Sequence, residues 1–121
     1  MTEAPRPFTR AAVPAVERRC AETLAALLSR LAEAAGEGLA GAALGGPLGR
    51  GEAPTSVDAG GAFVASAPFE LLVVLDGTPA RVAAAAARLE RELGATARSR
   101  RAAVRVETVS SSSLDRVAPT I

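Results

Sequence analysis

A chain of 121 residues has the length of one domain of ordinary size. Its formal net charge of +1 gives no overall attraction for nucleic acid or an anionic membrane. It holds no histidine and one cysteine, which excludes His-based acid–base catalysis, His metal ligation, an intrachain disulfide and a cysteine-rich metal site.

Residues 1–12 carry Pro5 and Pro7 among charged residues and read as a disordered lead-in to a single domain over residues 13–121. A helix is predicted from Pro14, because proline is tolerated in a first turn. Val13, Val16, Cys20, Leu24, Leu27, Leu28 and Leu31 recur at spacings of three and four, which makes one apolar stripe. Glu17, Arg18, Arg19, Glu22, Arg30 and Glu33 fall off it, and Gly36 and Gly38 stop the helix. Cys20 lies on the stripe and reads as a small core residue, not a reactive thiol.

Residues 39–44 are short, apolar and bounded by glycines, as a buried strand would be. Residues 45–51 hold four glycines and read as a turn whose backbone can approach a ligand closely. Its N–H groups can take phosphate oxygens, although no Lys-Ser/Thr pair follows, so it is not a P-loop. Residues 54–67 are small and polar around Asp58-Ala59-Gly60-Gly61 and read as a hairpin tip or flexible loop.

Residues 69–75 are a continuous apolar run interrupted by Glu70, predicting a strand buried on both faces. Asp76-Gly77 ends it. Thr78 caps a second helix with Pro79 in its first turn; Val82, Ala86, Leu89 and Leu93 form the inner stripe, and Gly94 closes it. The basic cluster at residues 98–101 has no aromatic residues interleaved and reads as a solvated loop, with nucleic acid an unlikely partner. Val104, Val106 and Thr108 alternate with Arg105 and Glu107, which predicts a strand with one polar face. Residues 114–117 are expected to form one capped helical turn.

The core must come from Ala, Leu and Val, since the aromatic residues amount to 2% with no Trp or Tyr. No apolar run approaches the length of a membrane span, and the N-terminus lacks the apolar heart of a signal peptide. A cytoplasmic protein without membrane partners is expected. The fold class is α/β (α+β): a small mixed sheet with flanking helices.

The order helix, short strand, Gly-rich turn, loop, acidic strand, helix, alternating strand resembles the polymerase-β-like nucleotidyltransferase superfamily. A closer similarity is to a bacterial branch with a Gly-x-Gly-Arg-Gly-Glu turn, here Gly45-Gly46-Pro47-Leu48-Gly49-Arg50-Gly51-Glu52. That branch ends in Pro-Pro-Thr-Leu, where this chain has Ala118-Pro119-Thr120-Ile121. The resemblance covers roughly residues 37–121. It implies a Mg²⁺ site built from an acidic pair that opens the second strand and a third acid on a later strand. Glu70 takes the second place of the pair and Glu107 the third, so both are candidate catalytic and metal-binding residues. Gly45, Gly46, Gly49 and Arg50 would hold the phosphates of a nucleoside triphosphate.

Two departures stand out. Pro68 occupies the place of the first acid and offers neither a ligand nor a backbone N–H. Relatives of this kind also continue where this chain stops, so a C-terminal substrate-binding region is expected to be absent. Asp58 or Asp76 could substitute only if their loops fold back. The plainer reading of Glu70 is an acid at a strand entrance paired with Arg50, and of Glu107 an exposed strand charge.

The expectation is a nucleotidyltransferase-like domain with a degraded metal site, weak or inactive, that retains nucleotide binding. The alternatives are an active Mg²⁺-dependent transferase on an unknown acceptor, or a non-catalytic interaction domain. The last would have a protein partner or be a homo-oligomer joined through the helix at residues 13–31.

Overall fold

Proline in the first turn and apolar residues at spacings of three and four start a helix where the sequence places it. In the computed structural model, which describes residues 7–112, α1 runs Pro14–Ala35 and leads through a single 3₁₀ turn, Gly36–Gly38, into β1, Leu39–Gly45. A short helix α2, Gly46–Arg50, follows, then β2, Thr55–Val57, and β3, Phe63–Ala65. The chain continues through β4, Phe69–Leu75, α3, Pro79–Ser99, and β5, Val104–Ser110. The turn expected at residues 114–117 lies outside the described residues.

The main sheet has the order β1-β4-β5, with β1 antiparallel and β5 parallel to β4. A parallel neighbour needs a crossover, and α3 supplies it. β2 and β3 form a separate antiparallel hairpin, the first of the two forms open to the small polar stretch. The Asp58 carboxylate closes its tip by accepting from the backbone N–H groups of Gly60 (2.9 Å) and Ala62 (3.0 Å). The protein is therefore a small α+β fold.

Both long helices pack on one face of the sheet. Val16, Cys20, Leu27 and Leu31 of α1 meet Val82, Leu89, Leu93 and Ala97 of α3 and Phe69, Leu71, Val73 and Leu75 of β4 in one core. β4 thus has one buried face, not two. Glu70 and Val74 are half-buried, and Leu72 stays 38% exposed on the opposite side. The apolar run concealed this, because Leu72 and Val74 are apolar wherever they point.

Other expectations change in the same way. Val13 and Leu28 lie at the margin of the α1 stripe and remain exposed, while Thr23, unremarkable in the sequence, is buried. α3 passes through Gly94 to Ser99, since the buried Ala97 continues the stripe that begins at Val82. Ala86 is only half-buried. The lead-in docks over its described part: Thr9 is fully buried and bridges to Ala53. Glu17, expected on the solvated face, holds it by accepting from Phe8 N (2.6 Å), Thr9 N (3.0 Å) and Thr9 Oγ1 (2.6 Å).

Candidate site on the open face of the sheet

The face of the sheet turned away from the helices carries Glu70, Glu107, Gly45 and Gly46 of the residues that the sequence singles out. Side chains alternate along a strand, and residues in register on neighbouring strands share a face. Glu70 pairs with Gly45 on β1 and Arg105 on β5, and Leu72 pairs with Ala43 and Glu107. The two positions on β1 are a glycine and an alanine, too small to cover β4. The result is a shallow depression of about 400 Å³ above Glu70 and Leu72, with Gly45 and Gly46 at one rim and Arg105 and Glu107 at the other.

Gly46 meets Glu70 closely. Its φ is +65°, a left-handed conformation that disfavours side chains, and a Cβ there would collide with the Glu70 carboxylate. The glycine is required twice, by its backbone and by its neighbour. The acid lies against the turn expected to receive phosphate.

Gly49 and Arg50 belong elsewhere. The expected turn is a helix, α2, anchored by the buried Leu48. Gly49 packs against the backbone of Leu44, so it serves the close approach of α2 to β1. Arg50 is exposed and pairs with Glu52 at 3.1 Å, not with Glu70. The residue in register with Glu70 is Arg105, which the alternation of β5 places on its polar face without naming its neighbour. Only a fixed parallel register could have found it.

Neither substitute acid reaches this face. Asp58 is held by its own hairpin tip. Asp76 follows the other end of β4, about 20 Å along the strand from Glu70. Pro68, two residues before Glu70, lines a different cavity, beside Val16, Cys20 and Phe69.

The chemistry of the donors present does not fit the Mg²⁺ centre that the resemblance implies. Mg²⁺ binds hard oxygen ligands in a tight octahedron. Here the first acid's place is a proline, and a guanidinium-bearing residue stands in register beside Glu70. Among the described residues no three His, Cys, Asp or Glu side chains gather as a metal group. What the depression offers is one cation, two carboxylates and an apolar floor at Leu72.

Comparisons with protein-family models, with curated proteins and with solved structures find no match to this chain.

Proposed function

We propose that this chain is a nucleotidyltransferase-like domain that has lost the metal chemistry of transfer and acts as a nucleotide-binding module. The observation that carries the reading is the placement of Glu70 and Glu107 on one open sheet face beside Gly45-Gly46. That is where the resemblance expects an acidic site to face a glycine turn. The succession α1-β1-α2-β4-α3-β5, with one mixed sheet, supports the same ancestry.

Arg105 is the group in the depression that can attract a phosphate. A guanidinium offers a planar fork of donors that matches phosphate oxygens. Leu72 and Ala43 offer an apolar surface to a base. Glu70 opposes phosphate binding, since a carboxylate and a phosphate repel at short range.

This gives a test in which the two main readings predict opposite signs. ATP and the other nucleoside triphosphates are titrated into wild type, Glu70→Gln and Arg105→Ala, each with and without Mg²⁺, by calorimetry. On the binding-module reading, Glu70→Gln tightens nucleotide several-fold without needing Mg²⁺, and Arg105→Ala weakens it about tenfold, the scale of one charge-assisted contact. Mg²⁺-dependent binding that vanishes in Glu70→Gln would support the active transferase instead. No nucleotide binding by wild type would remove both.

A further inference from the structure

A second cleft lies on the helix side of the sheet, where the first half of α1 meets the turn between α3 and β5. Arg18 and Arg19 come from α1, and Arg100 and Arg101 from the turn. By sequence alone residues 98–101 read as a solvated loop. The fold sets two of those arginines against two others from eighty residues earlier. The Arg19 guanidinium donates to the Arg100 carbonyl at 3.5 Å, which fastens the two segments together.

These four cations have little counter-charge. The ion pairs among the described residues involve Arg30, Arg50 and Arg88, and none of the four. Three acids lie nearby. Glu22 lines the same cleft. Glu17 is taken up by Phe8 and Thr9. Asp58 feels Arg101 and Arg19, but its carboxylate serves the amides of Ala62 and Gly60. In a chain with formal charge +1, this is a local concentration of positive charge.

The cleft opens into a cavity of about 370 Å³, within the range of small-molecule sites. Arg19, Arg100 and Arg101 form its rim, while Val16, Cys20 and Phe69 supply an apolar floor. The Cys20 thiol, raised to about 11 chiefly by burial, is protonated at neutral pH and adds no charge to that floor.

The backbone of the turn ends α3 in an uncommon way. Arg101 N donates to Arg98 O and Ala102 N to Ala97 O, the Schellman pattern that ends many helices. The residue at the left-handed position of that pattern is usually glycine. Here it is Arg101, with φ +56°. A non-glycine residue at that position carries backbone strain that glycine would relieve.

We propose that this cleft binds an organic phosphate monoester, its dianionic head on Arg19, Arg100 and Arg101 and its apolar body on Val16, Cys20 and Phe69. Guanidinium groups match phosphate oxygens in pairs, and the floor rewards a ligand that carries apolar surface behind the charge. This site is on the opposite side of the sheet from Glu70 and stands whether or not that face binds nucleotide.

The test uses phenyl phosphate and inorganic phosphate as probes on the full chain, followed by amide NMR shifts. Phenyl phosphate is expected to bind more tightly than inorganic phosphate and to shift the amides of Arg19, Thr23, Val64 and Ala102. The decisive variant is Arg101→Gly. It removes one guanidinium and relieves the left-handed strain, so thermal stability holds or rises while phenyl phosphate affinity falls about tenfold. Arg19→Gln weakens binding as well. Unchanged affinity in Arg101→Gly overturns the proposal, as does the absence of binding at about 10 mM phenyl phosphate. A single-stranded oligonucleotide that binds with steep salt dependence while phenyl phosphate does not would also overturn it, and would make the arginines a nucleic-acid surface. Shifts centred on Gly46 and Leu72 instead would assign the phosphate to the open face.

Discussion

Cys20 shows how much one side chain's surroundings decide. Burial pushes its thiol from 9.0 up to about 11; the Glu17 charge adds to the rise and Arg19 opposes it. The folded state therefore keeps a proton that the unfolded chain gives up between those values. Because the unfolded state binds fewer protons in that window, stability is fully present below about pH 9 and is lost as pH rises toward about 11. The loss is on the order of 1–3 kcal/mol. The chain has no Tyr and no Lys, so no other side chain is expected to titrate strongly there. Urea unfolding at about pH 8 and about pH 10.5 reads the difference, and Cys20→Ala should flatten it. The sequence placed Cys20 on the inner stripe correctly. The same helical spacing sets Glu17 one turn before it, but no local pattern shows that Glu17 holds Phe8 and Thr9, nine and eight residues earlier.

At the scale of elements, α3 shows both the strength and the limit of local signals. Thr78 caps its start, accepting from Arg81 N at 3.3 Å, with Pro79 in the first turn, as the residue types imply. Gly94 reads locally as a stop, but the helix continues because Leu93 and Ala97 are both buried in the core. Packing outweighs the weak helix propensity of one glycine. A Cβ at Gly94 would come 3.3 Å from a terminal guanidinium nitrogen of Arg98, which can swing away. Gly94→Ala is therefore expected to raise stability by about 0.5–1 kcal/mol, measurable by thermal or urea unfolding. A true helix end at Gly94 would give no gain. α2 illustrates the reverse case. Its glycines suggested an open turn, whereas Leu48 buries itself and winds the segment into a helix.

For the whole molecule, the decisive property is that, among the described residues, the helices cover one side of the sheet. α1 and α3 take the face of Leu71 and Val73 and leave that of Glu70 and Leu72 open among the described residues. The two leucines at the centre of β4 should then behave differently. Leu71→Ala opens a cavity in the core and is expected to cost about 2–5 kcal/mol. Leu72→Ala, which removes a partly solvated side chain, should cost under about 1 kcal/mol. Equal costs in urea unfolding would mean that both faces are covered in solution. The same one-sidedness separates the two clefts. Glu70, Glu107, Arg105 and the glycine turn occupy the open face, and Arg18, Arg19, Arg100 and Arg101 gather on the helix side.

The sequence by itself determined the elements whose signal is local: α1, the strand at β1 though not its burial (none of its residues is buried), β4, the capped start of α3 and the alternation in β5; at β2 and β3 it left a hairpin tip and a flexible loop both open. Each rests on spacing, capping or turn chemistry within a few residues, and such signals survive folding because the core uses the same stripes. It also singled out Glu70, Glu107, Gly45 and Gly46, which share one face. Tertiary structure alone decided what depends on register and on cover. An apolar run looks the same whether one face is buried or two, so only the placement of the helices exposed Leu72. A glycine-rich octapeptide does not say which residue anchors it, so only packing turned Leu48 inward and sent Arg50 to Glu52. Arg105 became the neighbour of Glu70 through the parallel register of β4 and β5. Arg18, Arg19, Arg100 and Arg101 met because two helix ends distant in the chain came together, and no local pattern encodes that meeting.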